Sequence, residues 1–231
     1  MTATLRHYLS GNHIDAAAYF ARLSYEFEQQ FLRDQDLDRV FRTHRSCVLG
    51  SVVLAVAFLE ATINELFVDA ADPVPSVFEG LIGERAAALR APWQQEGAQR
   101  VEVLEKYRMA FDVLRMTPMS SGDGVWQDVQ ALIDLRNALV HFEPITQVTR
   151  SAQNHKDRHP LESALKGRFP ENRLFSETAN PFYPDRCLGH GCAAWAVDRS
   201  QTFATKFFSL IGIRQHSGRD PLPTRPSMST I

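Results

Sequence analysis

The chain of 231 residues reads as an all-α protein, and three features of its sequence say so. Apolar residues recur at helical spacing over most of the length, prolines fall mainly in the gaps between those segments, and no run alternates convincingly in the manner of a strand. The expected architecture is an antiparallel helical bundle of four main helices with a long irregular insertion before a last, closing helix.

Residues 14–32 place Ile14, Ala17, Ala18, Ala21, Leu23, Tyr25, Phe27 and Phe31 among charged positions with no glycine or proline, which predicts an amphipathic helix. From about 38 to 71 a second helix is interrupted only by Gly50, and its middle is apolar nearly all round, as the central element of a bundle should be. Pro73 and Pro75 end it. A shorter helix is predicted over 76–89 with Pro92 just beyond, another over 100–116, and a fifth from Val125 to about His141, with Asp123 as its cap and Pro144 after its end. Residues 145–191 then mix prolines, glycines, histidines and charges, with at most a short helix at 161–166. We read them as an insertion wrapped over the bundle, with residues 180–184 packed down. Helical phase returns at 192–213, whose aromatics Trp195, Phe203, Phe207 and Phe208 belong to the core. Residues 1–216 form one domain in this reading, and 217–231 a disordered tail.

Composition excludes little but bounds the rest. A hydrophobic share of 44% is ordinary for a globular protein, and a formal charge of −2 from 25 basic and 27 acidic residues leaves no global footprint for nucleic acid or membrane. Any polyanion site must be local. Three cysteines, Cys47, Cys187 and Cys192, fit a reducing compartment better than a disulfide scaffold, and no basic-then-apolar leader opens the chain, so a cytoplasmic protein is expected. The apolar run at 47–59 is shorter than the roughly 18 residues of a bilayer span and is read as a buried helix.

The chemistry gathers at 134–141, Asp-Leu-Arg-Asn-Ala-Leu-Val-His. At about 100° per residue, Val125, Val129, Leu132, Ile133, Leu135, Leu139 and Val140 make one apolar arc with Arg136 in its middle. An inward arginine stays charged and needs a carboxylate, a polar cavity or an anion. Projection also aims Glu60 inward, with Asn64 one turn on, so Glu60 is the expected partner of Arg136. Asn137 and His141 share another face, and Arg136 and His141 stand about 140° apart on a regular helix. They converge only if the helix end distorts or a second copy faces the first.

Arg136-Asn137-Ala138-Leu139-Val140-His141, late in an all-helical chain and preceded by the long apolar helix ending at 58–67, resembles the signature of the HEPN superfamily, an arginine, then four to six intervening residues, then a histidine. The resemblance covers about 14–142 and the last helix; the insertion is no part of it. It implies a HEPN-type bundle and a metal-independent endoribonuclease that needs no cofactor, works on RNA as a homodimer, and serves as a bacterial toxin or phage-defence effector with an antitoxin or defence protein as a candidate partner. Arg136 would stabilise charge on the phosphate, His141 would move protons, Asn137 would position one of these two side chains, and Glu60 with Asn64 would support Arg136.

Other readings stand beside it. The chain could be a non-catalytic HEPN module that binds a nucleotide or partner protein, or a helical adaptor in which Arg136 only packs and His141 only meets the helix dipole. Cys187, His190 and Cys192, with His155 and His159, carry ligand chemistry without the paired spacing of a zinc module. Arg150, Lys156, Arg158, Lys166, Arg168, Arg173 and Arg186 are either scattered surface charge or, with His155 and Phe169, a surface holding RNA beside the motif.

Overall fold

The computed structural model describes residues 5–31, 37–72, 76–145, 159–175, 178–215 and 224. About 70% of the described residues are helical and almost none are in strands, as the all-α reading requires. Pro73 and Pro75, residues 146–158 with Arg150, His155, Lys156 and Arg158, and nearly all of the expected tail lie outside the described residues.

The helices are α1 (Ser10–Phe31), α2 (Leu37–Ala71), α3 (Gly83–Trp93), α4 (Val103–Val113), α5 (Gly124–Val140), α6 (Pro160–Leu165) and α7 (His190–Ile211). Side-chain bonds fix their directions. Glu65, near the end of α2, accepts from the backbone N–H groups of Leu9 (2.8 Å) and Ser10 (2.9 Å), while Glu28, near the end of α1, meets His44, near the start of α2, at 3.1 Å. The two helices are therefore antiparallel, and their packing is close. Ala17, Ala18 and Ala21 are fully buried, and a Cβ on Gly50 would stand 3.1 Å from the Phe20 ring. Helix α7 starts beside the end of α1, where Glu28 accepts from the His190 N–H at 2.7 Å, and so runs parallel to α2. It closes the core with an aromatic cluster: Phe207 lies 4.7 Å from Tyr107 and 5.2 Å from Phe111, and Phe203 stands 4.9 Å from Tyr107 and 5.6 Å from Trp126. Burial pushes the Tyr107 hydroxyl up, and it spends its proton on the Leu59 carbonyl at 2.9 Å.

Three expectations change. Residues 76–82 are not helical: Phe78–Glu79 (β1) pairs antiparallel with Arg214–Gln215 (β2). Asp69 accepts from Ser76 Oγ (2.8 Å) and Val77 N–H (3.0 Å), and Ser76 Oγ accepts from Phe78 N–H (2.9 Å), so side chains take the amides a helix start would leave open. Helix α3 begins only at Gly83, and Pro92 lies within its last turn. Finally, the continuous apolar helix is longer than the run at 47–59: α2 is long and apolar enough, by length and composition, to cross a bilayer. In this fold Val48, Val52, Ala55, Leu59, Ile63 and Leu66 of α2 are fully buried in the protein.

The described part of the insertion is packed down. Leu161, Leu165, Phe169, Phe182, Tyr183 and Leu188 are buried, and the buried Asn172 amide donates to the carbonyls of Asp185 (3.1 Å) and Leu188 (2.9 Å). The segment lies so close to α7 that a Cβ on Gly191 would stand 2.2 Å from the Pro170 carbonyl oxygen. Only glycine fits there.

Candidate active site

Helix α5 carries the motif and is fixed at its start. Asp123 caps it, accepting from Val125 N–H at 2.9 Å, and is paired with Lys206 of α7. The Lys206 ammonium first, and the Val125 N–H second, hold the Asp123 carboxyl below its ordinary range. A depressed folded-state pKa contributes stability above the unfolded value, and that contribution is lost as pH falls through the folded value. Asp123→Asn keeps a capping acceptor and loses the ion pair. Urea unfolding is therefore expected to show it about 0.5–1 kcal/mol less stable at neutral pH, with the difference vanishing in acid.

Val129, Leu132, Ile133 and Leu135 are buried as the apolar arc requires and Val125 and Leu139 are partly buried, but Val140, assigned to the same arc, is exposed. The helix ends there. His141 still donates its N–H to Asn137 O at 2.9 Å, but its φ of −101° and ψ of 41° leave the helix. Relative to a helical φ, this turns its Cβ by about 40° around the N–Cα bond, short of the 140° or so that separates it from Arg136. Arg136 and Asn137 are half-buried and His141 is exposed. Among the described residues none of these three side chains has a hydrogen bond or ion pair. Around them Val140, Phe142 and Ile145 expose apolar surface.

Glu60 does not pair with Arg136. It is half-exposed rather than aimed into the core, and its ion pair, at 3.5 Å, is with Lys106 of α4, which is buried. Asn64 turns the same way, its Oδ1 accepting from Lys106 Nζ at 2.9 Å. The two residues expected to support Arg136 instead satisfy a buried ammonium. The signal for Lys106 was in the sequence: it stands three residues after Val103 and four before Ala110, on the buried side of α4.

The candidate metal ligands Cys187, His190 and Cys192 do not form one set of ligands. His190 Nδ1 lies 3.0 Å from the Ala21 carbonyl oxygen and 3.5 Å from Ser24 Oγ. Cys187 and Cys192 are buried against each other, and their contact, with burial, pushes the Cys192 thiol up. Among the described residues no three His, Cys, Asp or Glu side chains converge as metal ligands would. Among the described cations of the insertion, three are committed to ion pairs. Lys166 pairs with Glu162 (3.1 Å), Arg168 with Asp128, and Arg186 with Glu171 (2.6 Å), so these three form internal bridges rather than a bare basic strip.

Sequence reasoning missed two groups near the motif. The Tyr183 hydroxyl, in the turn Phe182–Arg186, reaches the Ala138 carbonyl at 3.5 Å, and the imidazole of His159 stacks on the Tyr183 ring with centroids 4.2 Å apart. The signal for His159 was local: it precedes Pro160 at the first position of α6, where a capping residue belongs. Comparison of the chain with family models, with curated proteins and with solved structures finds no match.

Proposed function

We propose that this protein is a metal-independent endoribonuclease of the HEPN type, acting as a homodimer and serving as a toxin or phage-defence effector. One observation carries the reading: a half-buried guanidinium without a protein partner among the described residues stands five positions before an exposed imidazole, where the backbone leaves the helix. A permanent cation left unpaired at the surface of a folded domain is suited to an anion, and the phosphodiester supplies one. Arg136 contacts the phosphate. His141 takes the proton of the RNA 2′-hydroxyl as O2′ bonds to phosphorus, and the P–O5′ bond breaks to give a 2′,3′-cyclic phosphate and a 5′-hydroxyl. The leaving oxygen takes its proton from the His141 of a second copy. The exposed Val140, Phe142 and Ile145 beside the motif suit such a contact.

Incubation of the purified protein with RNA in excess chelator tests this. Cleavage is expected to persist in chelator and to fall by at least about 10²-fold in His141→Ala. Growth arrest on expression is expected to be relieved by the same substitution. An inert wild-type dimer on every RNA offered sinks the proposal.

A further inference from the structure

Helix α6 and the turn Phe182–Arg186 meet at the carboxyl end of α5. Arg168, just beyond α6, bonds Asp128 near the start of α5, so α6 runs antiparallel to α5 and His159, its cap, lies toward the motif. Tyr183 joins the two ends. It is buried, its hydroxyl reaches the carbonyl of Ala138 in the middle of the motif, and its ring carries the imidazole of His159 at an interplanar angle of 29°. A second histidine of the same chain therefore stands beside the end of α5 that carries Arg136 and His141.

The protonation of that ring follows from its bonds. Nδ1 accepts the Leu161 N–H at 3.2 Å, so it carries no proton, and the neutral ring has its N–H at Nε2. Among the described residues no acceptor bonds to Nε2. Burial pushes the imidazole below its usual range, and a proton on Nδ1 would break the cap of α6; both keep the ring neutral at pH 7. Among the described residues the other titratable groups at this end are Arg136, His141 and Glu143 at the end of α5, Tyr183 with Cys187 beside it, Asp185 held by Arg45, and Glu162 held by Lys166.

We infer that His159 contacts the substrate of the ribonuclease proposed above, on which this inference rests, donating its neutral Nε2–H to a non-bridging oxygen of the phosphate that Arg136 holds. It is not a proton carrier. A base needs a free lone pair and an acid needs an imidazolium, and the cap leaves neither, so proton movement stays with His141. A fixed neutral donor aimed where charge grows is worth most in the transition state.

His159→Asn tests it, because asparagine caps a helix as well and cannot reach as far. The expected result is a fall in kcat/KM of about 10²-fold with an unchanged melting temperature and an unchanged shape of the pH profile, which His141 sets. RNA carrying sulfur at the contacted non-bridging oxygen is expected to slow the wild type and to leave the variant's rate unaltered. If His159→Asn melts early, His159→Ser, another capping residue, takes its place. A variant that cleaves at the wild-type rate overturns the role of His159 and leaves the ribonuclease standing, as does a wild type indifferent to sulfur at both non-bridging oxygens. A wild type inert on all RNA overturns both.

Discussion

Glu28→Ala is expected to destabilise the protein by about 3–5 kcal/mol, a drop in melting temperature on the order of 10 °C for a chain of this size. Glu28 is 2% exposed and joins three helices: it sits on α1, meets His44 Nε2 of α2, and accepts the first N–H of α7. Helix α7 has no side-chain cap of its own, since Gly189 holds the capping position, so the carboxylate of α1 does that work from outside. Removing it strands the His190 N–H and a fully buried imidazole whose Nδ1 has no partner among the described residues. Glu28→Gln, which keeps an acceptor, should recover much of the loss. Thermal melts of the two variants check this, and equal stability of Glu28→Ala and wild type would show that the cap contributes nothing.

Arg136→Ala is expected to reduce RNA cleavage by about 10³-fold while changing unfolding free energy by less than about 1 kcal/mol. The contrast is the informative part. A buried arginine that held helices together through a carboxylate would cost about 3–5 kcal/mol to remove. Here Glu60 is engaged with Lys106 and Arg136 has no described partner, so the fold has little to lose. Arg136→Lys should restore only part of the rate, since an ammonium cannot offer the two parallel N–H groups a phosphate accepts. Denaturant unfolding beside a chelator-treated cleavage assay measures both quantities on one preparation; a stability loss as large as that of Glu28→Ala would give Arg136 the packing role instead.

The helices were legible because burial of one face writes a period into the chain, and α1, α2, α5 and α7 carry it over many turns. Residues 76–82 were not, because what keeps them from being helical is Asp69, a side chain on another element that captures their amides. The site was legible in part. Projection along α5 placed Arg136 in the buried arc and His141 off it, and the structure leaves Arg136 half-buried and His141 exposed. What projection could not supply was the neighbour. It gives a direction around one axis, and choosing between Arg136 and Lys106 as the partner of Glu60 needs the positions of two other axes. The closeness of His159 to the motif was hidden for the same reason, since Tyr183, the residue between them, belongs to a turn without a period.

The external cap on α7 also bears on the order of folding. Glu28 and His190 are 162 residues apart, and α7, which also bonds α2 through Ser51 and Ala193, is made long after α1 and α2. During synthesis α1 and α2 can pair early, as neighbours, but Ser51 of α2, whose Oγ donates to the Ala193 carbonyl of α7, waits for that helix, and Glu28 waits with only His44 for company. Contacts of such long sequence separation slow folding and lengthen the time in which apolar surface stands open. A chain arrested before residue 190 would hold α1 to α6 with apolar surface open where α7 packs, and the last helix is what covers it.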